Sequence, residues 1–84
     1  MTKVSEFKTA KEEWLASNPI LAFRQKHHLS QGDIATKIDA SFQRIYQFEK
    51  GLTDPSETEI KLLSELIPDL SRKWKVWINE RPSL

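Results

Sequence analysis

Apolar residues recur along this chain at intervals of three and four, and no stretch shows the strict alternation of a half-buried strand. The spacing predicts helices throughout. Val4, Phe7, Trp14 and Leu15 lie close to one face of a helix over 5–17, with Lys8, Glu12 and Glu13 turned outward. Asn18-Pro19 ends that helix and opens the next, because Asn is a strong N-cap and Pro suits the first helical position. The second helix runs to about His27 with Ile20 and Phe23 inward, and His28-Leu29 is its exit. Ser30 then heads a helix carrying Ile34, Ala35 and Ile38, with Asp33 completing a capping box. Ser41 heads and caps another, carrying Phe42, Ile45 and Phe48. After the loop Leu52-Thr53-Asp54-Pro55, Ser56 and Glu59 form a full capping box. The helix they open bears Ile60, Leu62, Leu63, Leu66 and Ile67 and is interrupted by Pro68. A last helix over 69–80 puts Leu70, Trp74, Trp77 and Ile78 on one stripe, and the residues from Pro82 onward are expected to fray.

The joint between the helices headed by Ser30 and Ser41 is only Asp39-Ala40, and Asp is among the few non-glycine residues that tolerate a left-handed turn position. Two helices of about two turns with so short a joint must cross steeply, as in a helix-turn-helix. The residues Leu29-Ser30-Gln31, Asp33-Ile34-Ala35, Ile38, Ser41, Ile45, Glu49 and Gly51 resemble the Cro/C1-type (XRE-like) helix-turn-helix family of phage, plasmid and bacterial regulators. The likeness extends over residues 20–67. It implies an all-α, lambda-repressor-like fold: a single domain over 1–84 with a four-helix core near 19–67, the motif at 30–50, and an additional helix at each terminus. Two departures stand out. The loop after Gly51 is frequently basic in the family and here reads Leu52-Thr53-Asp54, and the turn has Asp39 where Gly is usual and Ala40 where a larger apolar residue is usual.

Composition narrows the function classes. Eighty-four residues suit one domain with one modest core, and 38% hydrophobic with 30% charged residues fits a folded chain. With no cysteine there is neither a disulfide framework nor a thiolate nucleophile or metal ligand, and a cytoplasmic home is expected. The N-terminus interleaves charges with apolar residues, unlike a signal peptide, and no apolar run reaches the roughly 20 residues that span a bilayer. No sensor or cleavage domain is expected, so regulation would come from concentration, dimerisation or a partner. The net charge of +1 hides a pattern: residues 24–51 lean basic, 54–69 acidic, and the tail is basic again through Arg72, Lys73, Lys75 and Arg81.

Candidate chemistry gathers on the second motif helix, over 41–50. The resemblance implies that Phe42, Gln43, Tyr46 and Gln47 face base edges in the major groove, with Arg44 at the flank. Their chemistry agrees: Gln pairs with adenine N6 and N7, Phe can touch a thymine methyl, and Arg44 can read guanine or grip a phosphate. Phe42 has an alternative place in the core. Gln31, by resemblance, braces the DNA backbone and touches the recognition helix; Lys50 is a candidate phosphate contact that also has a structural reason as a cation near a helix C-terminus. The resemblance also implies a structural ion pair between Arg24 and Glu49. His27 and His28 have no nearby cysteine and point in different directions, so no metal is expected. No nucleophile elbow, metal-ligand spacing or phosphate-cradling glycine loop is present, and neither an enzyme nor a cofactor is expected.

Trp14, Trp74 and Trp77 leave several readings open: cover for a small core, a dimer interface over Leu70, Trp74, Trp77 and Ile78, or a last helix whose basic face touches flanking DNA. The expected function is a sequence-specific double-stranded DNA-binding regulator, a repressor, acting as a homodimer on an inverted-repeat operator. The alternatives are an antitoxin that represses its own operon and a helix-turn-helix scaffold used for protein contacts.

Overall fold

Four of the helices open on side-chain caps in the computed structural model of this chain, which describes residues 9–82. In order the helices are α1 (Ala10–Ala16), α2 (Pro19–Lys26), α3 (Gln31–Lys37), α4 (Phe42–Glu49), α5 (Glu57–Ser64) and α6 (Leu70–Asn79), with no strand among the described residues. The boxes at Ser30/Asp33 and Ser56/Glu59 form reciprocally, as their spacing requires.

Two starts differ from expectation. The first helix does not run unbroken from Ser5: Thr9 is extended and forms its own capping box with Glu12, so α1 opens at Ala10. Val4, Phe7 and Lys8, expected on that helix, lie outside the described residues, as do the last two residues, expected to fray. Ser41 holds the N-cap position of α4, but its hydroxyl makes no capping bond. The N3 residue there is Arg44, whose side chain turns to α5, so no reciprocal box can form.

Asn18 does more than cap. It is fully buried; its Oδ1 accepts the Ile20 and Leu21 N–H groups at 2.9 and 3.0 Å. Its Nδ2 donates at 3.0 Å to the carbonyl of Phe48, near the far end of α4. One side chain thus ties the start of α2 to the end of α4. Asn18→Ala removes a cap and one of the hydrogen bonds to the Phe48 carbonyl, which keeps the Gly51 N–H, and is expected to lower stability by about 1–3 kcal/mol in denaturant unfolding.

The interior is filled by Ile20, Ile34, Ile45, Phe48, Leu63, Ile67 and Leu70, closed at one side by the tryptophans. Trp14 and Trp77 stack with centroids 3.9 Å apart and planes within 6°. Each indole N–H donates to the other residue's backbone carbonyl, at 2.6 and 2.7 Å. This reciprocal clasp fastens α1 onto α6. Trp74 lies edge-on to Phe48 and donates its indole N–H to Asp54 Oδ1 at 3.2 Å.

The stripe of α6 therefore serves the chain's own core. Leu70, Trp74 and Trp77 retain 0, 6 and 2% of their surface, and Ile78 is partly buried against them. Of the four residues expected at a dimer interface, Leu70, Trp74 and Trp77 are packed within the chain and are not available to a partner, whereas Ile78 stays partly exposed.

Candidate nucleic-acid interface

The helix pair α3–α4 is held by Ile34, Ala35, Ile38, Ile45 and Phe48, all buried. Its turn places Asp39 at φ 56, the left-handed conformation expected there. With Ile45, Phe48 and Glu49 inward, the opposite face of α4 is left to Phe42, Gln43, Tyr46, Gln47 and Lys50, all exposed. Phe42 keeps 57% of its surface and Tyr46 46%, so Phe42 does not tuck into the core.

Beneath this face, Glu49 is almost fully buried and fully bonded. Its Oε2 accepts Arg24 Nε at 2.8 Å; its Oε1 accepts Arg24 Nη2 and Gln31 Nε2, both at 3.0 Å. Arg24 also reaches the Leu29 carbonyl. Its hydrogen bonds to Glu49 raise its pKa against the opposing effect of burial. One carboxylate on α4 thereby gathers α2 and α3, and Gln31, at the first position of α3, is bonded to α4.

Arg44 occupies a place that sequence reasoning left undecided. It forms a two-pronged pair with Glu59 of α5, Nε to Oε2 at 2.9 Å and Nη2 to Oε1 at 2.8 Å, and its guanidinium sits 4.9 Å from the Phe48 ring. Those hydrogen bonds raise the Arg44 pKa and lower that of Glu59, in both cases against desolvation. Two donor atoms of Arg44 are thus committed within the protein, and Nη1 has no partner among the described residues. Opposite charges fifteen positions apart give no sign of this pairing without the fold.

The unusual loop after α4 also finds a reason. Asp54, where the family is frequently basic, holds the Trp74 indole. Gly51 adopts φ 69, and a Cβ there would stand 2.8 Å from Trp14 Cη2. His27 lies against Phe23 with centroids 4.2 Å apart, and His28 takes φ 56 at the helix exit. No group of three metal-ligating side chains occurs among the described residues, and no helix there is long and apolar enough to cross a membrane.

The helix-turn-helix family model of Cro/C1 type matches residues 20–74, well over half of the chain. The chain belongs to the Cro/C1-type helix-turn-helix family. That family is one of DNA-binding transcriptional regulators, generally non-enzymatic. No curated protein and no solved structure matches the chain. In this Cro/C1-type chain the family match takes in α2 to α5 and the first half of α6, and leaves α1 outside.

Proposed function

We propose that this Cro/C1-type protein is a sequence-specific double-stranded DNA-binding regulator that represses by occupying an operator, with α4 in the major groove. The observation that carries the reading is the division of α4 into a locked face and an open one: Glu49 is bonded to α2 and α3 while Phe42, Gln43, Tyr46 and Gln47 stand outward. Gln43 and Gln47 have the amide geometry that pairs with adenine, each good pair discriminating by about 1–3 kcal/mol. Phe42 offers an apolar surface to a thymine methyl. Gln31 and Lys50 flank the helix as backbone contacts, and Arg44 presents Nη1 at the edge, where a phosphate or a guanine can take it. A scaffold serving only protein contacts has no need of this amide-bearing face.

Two copies on an inverted repeat belong to the same reading, with half-sites about one helical turn apart. Their contact must use surface other than Leu70, Trp74 and Trp77. Sedimentation with and without DNA reads the stoichiometry.

The test is duplex selection from a random pool, followed by titration of wild type and a Gln43→Ala/Gln47→Ala variant. Both side chains are exposed, so the variant is expected to fold normally and to lose about 2–6 kcal/mol of discrimination between selected and random duplex. Equal affinity of both proteins for every duplex would refute specific recognition through α4.

A further inference from the structure

The two helices that flank the core meet beside the end of α4, and what they bring there is positive charge. Lys11 comes from α1, Lys50 follows α4, and Arg81 follows α6. Together with Trp14, Gly51 and Leu52 they line a recess of about 170 Å³. Three elements distant in sequence thus converge their cations on one small concavity.

Arg81 and Lys50 are placed rather than loose, and Lys11 is an exposed side chain at the rim. Arg81 donates Nη2 to the Gly51 carbonyl at 3.0 Å and lies 4.9 Å from the Trp14 ring, which leaves most of its five N–H donors uncommitted. Lys50 leans over the Tyr46 ring at 5.7 Å, toward the side of α4 that carries the exposed face. None of the three is in an ion pair among the described residues, whereas Arg24, Lys37, Arg44 and Arg72 each pair with a carboxylate. Glu12 of α1 lines a neighbouring concavity with Gln31 and Tyr46 and not this one.

We infer that Lys11, Lys50 and Arg81 form a phosphodiester-binding site through which the terminal helices grip the DNA backbone flanking the α4 contact. The inference rests on the DNA-binding reading above and assigns to it a role for α1 and the end of α6. It also accounts for the loop after Gly51. Asp54 there is bonded to Trp74, and the cations missing from the loop are supplied beside it by other elements. A guanidinium held by a carbonyl and an aromatic face has already lost much of the rotamer freedom that phosphate binding would otherwise remove.

The experiment is salt-dependent titration of the full chain on two duplexes of about three helical turns, one selected by the protein and one random. Wild type is compared with Lys11→Gln, with Lys11→Gln/Arg81→Gln, and with Lys73→Gln as a charge-matched control in the groove between α2 and α6. Lys11→Gln is expected to weaken both duplexes by the same factor, several-fold at low salt. The double variant should make the plot of log affinity against log salt shallower by about 0.9, the loss of one phosphate contact. Lys73→Gln should do neither. Melting curves confirm folding of the Arg81 variant; Lys11 is exposed and has no ion-pair partner among the described residues, so its result stands without that check.

Specific binding by wild type, with Lys11→Gln indistinguishable from it in affinity and slope, overturns the inference while leaving the DNA reading intact. A Lys11→Gln defect on the selected duplex alone overturns it too, since that would mark base readout. If wild type binds no duplex at all, both readings fail together.

Discussion

Glu49→Ala is expected to cost about 3–5 kcal/mol of stability and to abolish DNA binding by unfolding the motif. The substitution deletes an acceptor that takes three hydrogen bonds, two from Arg24 and one from Gln31, and leaves a guanidinium without its partner. With Arg24 only about a fifth exposed, water compensates poorly. Small domains are stable by about 5–15 kcal/mol, so the loss is a large share of the total. Urea unfolding measures it directly. The companion experiment separates the charge from the contact: Arg24→Met/Glu49→Met removes both members, and replacing a buried pair by apolar groups is often near neutral. The double variant should therefore recover most of the stability lost by Glu49→Ala. A Glu49→Ala protein that melts at the wild-type midpoint would show the pair to be ornamental.

Trp77→Ala is expected to be comparably damaging, about 3–5 kcal/mol, because a nearly fully buried indole is removed from the contact between α1 and α6. Two finer substitutions divide the effect. Trp77→Phe keeps a stacking surface and deletes one donor; the Trp14 carbonyl it served still accepts from the Ser17 N–H and hydroxyl, so the cost should be about 1–2 kcal/mol. Trp14→Phe deletes the other donor and leaves the Trp77 carbonyl with the Glu80 N–H. Near-ultraviolet dichroism should lose the contribution of the stacked pair in all three, while Trp74 keeps its own. Should Trp77→Ala unfold at the wild-type denaturant concentration, the clasp would contribute nothing to stability.

What could be read in advance was local. A serine three residues before a carboxylate, an Asn-Pro pair and an Asp in a two-residue joint each constrain their own few neighbours, and the caps at Asn18, Ser30 and Ser56 and the turn at Asp39 follow. The Thr9-x-x-Glu12 box has the same kind of signature, but the apolar positions around it continue the helical spacing back to Val4 and mask it. The Arg24–Glu49 pair was accessible only through family resemblance, since nothing in the sequence says which of many opposite charges meet. Long-range partnerships had no local signal at all. Trp14 with Trp77 joins residues 63 positions apart, and Arg44 with Glu59 and Asp54 with Trp74 depend on how α5 and α6 pack. On the candidate interface, the outward position of Phe42 needed the fold, because an apolar residue early in a helix suits either side.

The joints of this chain carry a consequence that no contact in the folded state displays. Among the described residues four take the left-handed conformation, of which Gly51 is a glycine and His28, Asp39 and Asp69 are not. Each non-glycine residue held there is disfavoured in the native chain by about 1 kcal/mol. Glycine would relieve that strain, yet it also enlarges the conformational freedom of the unfolded ensemble, by an amount worth about 0.4–1 kcal/mol per site. The two effects nearly cancel. With only two glycines in 84 residues, the unfolded chain has comparatively little backbone entropy to gain on opening. Part of what keeps the helices together is thus a property of the state in which none of them exists.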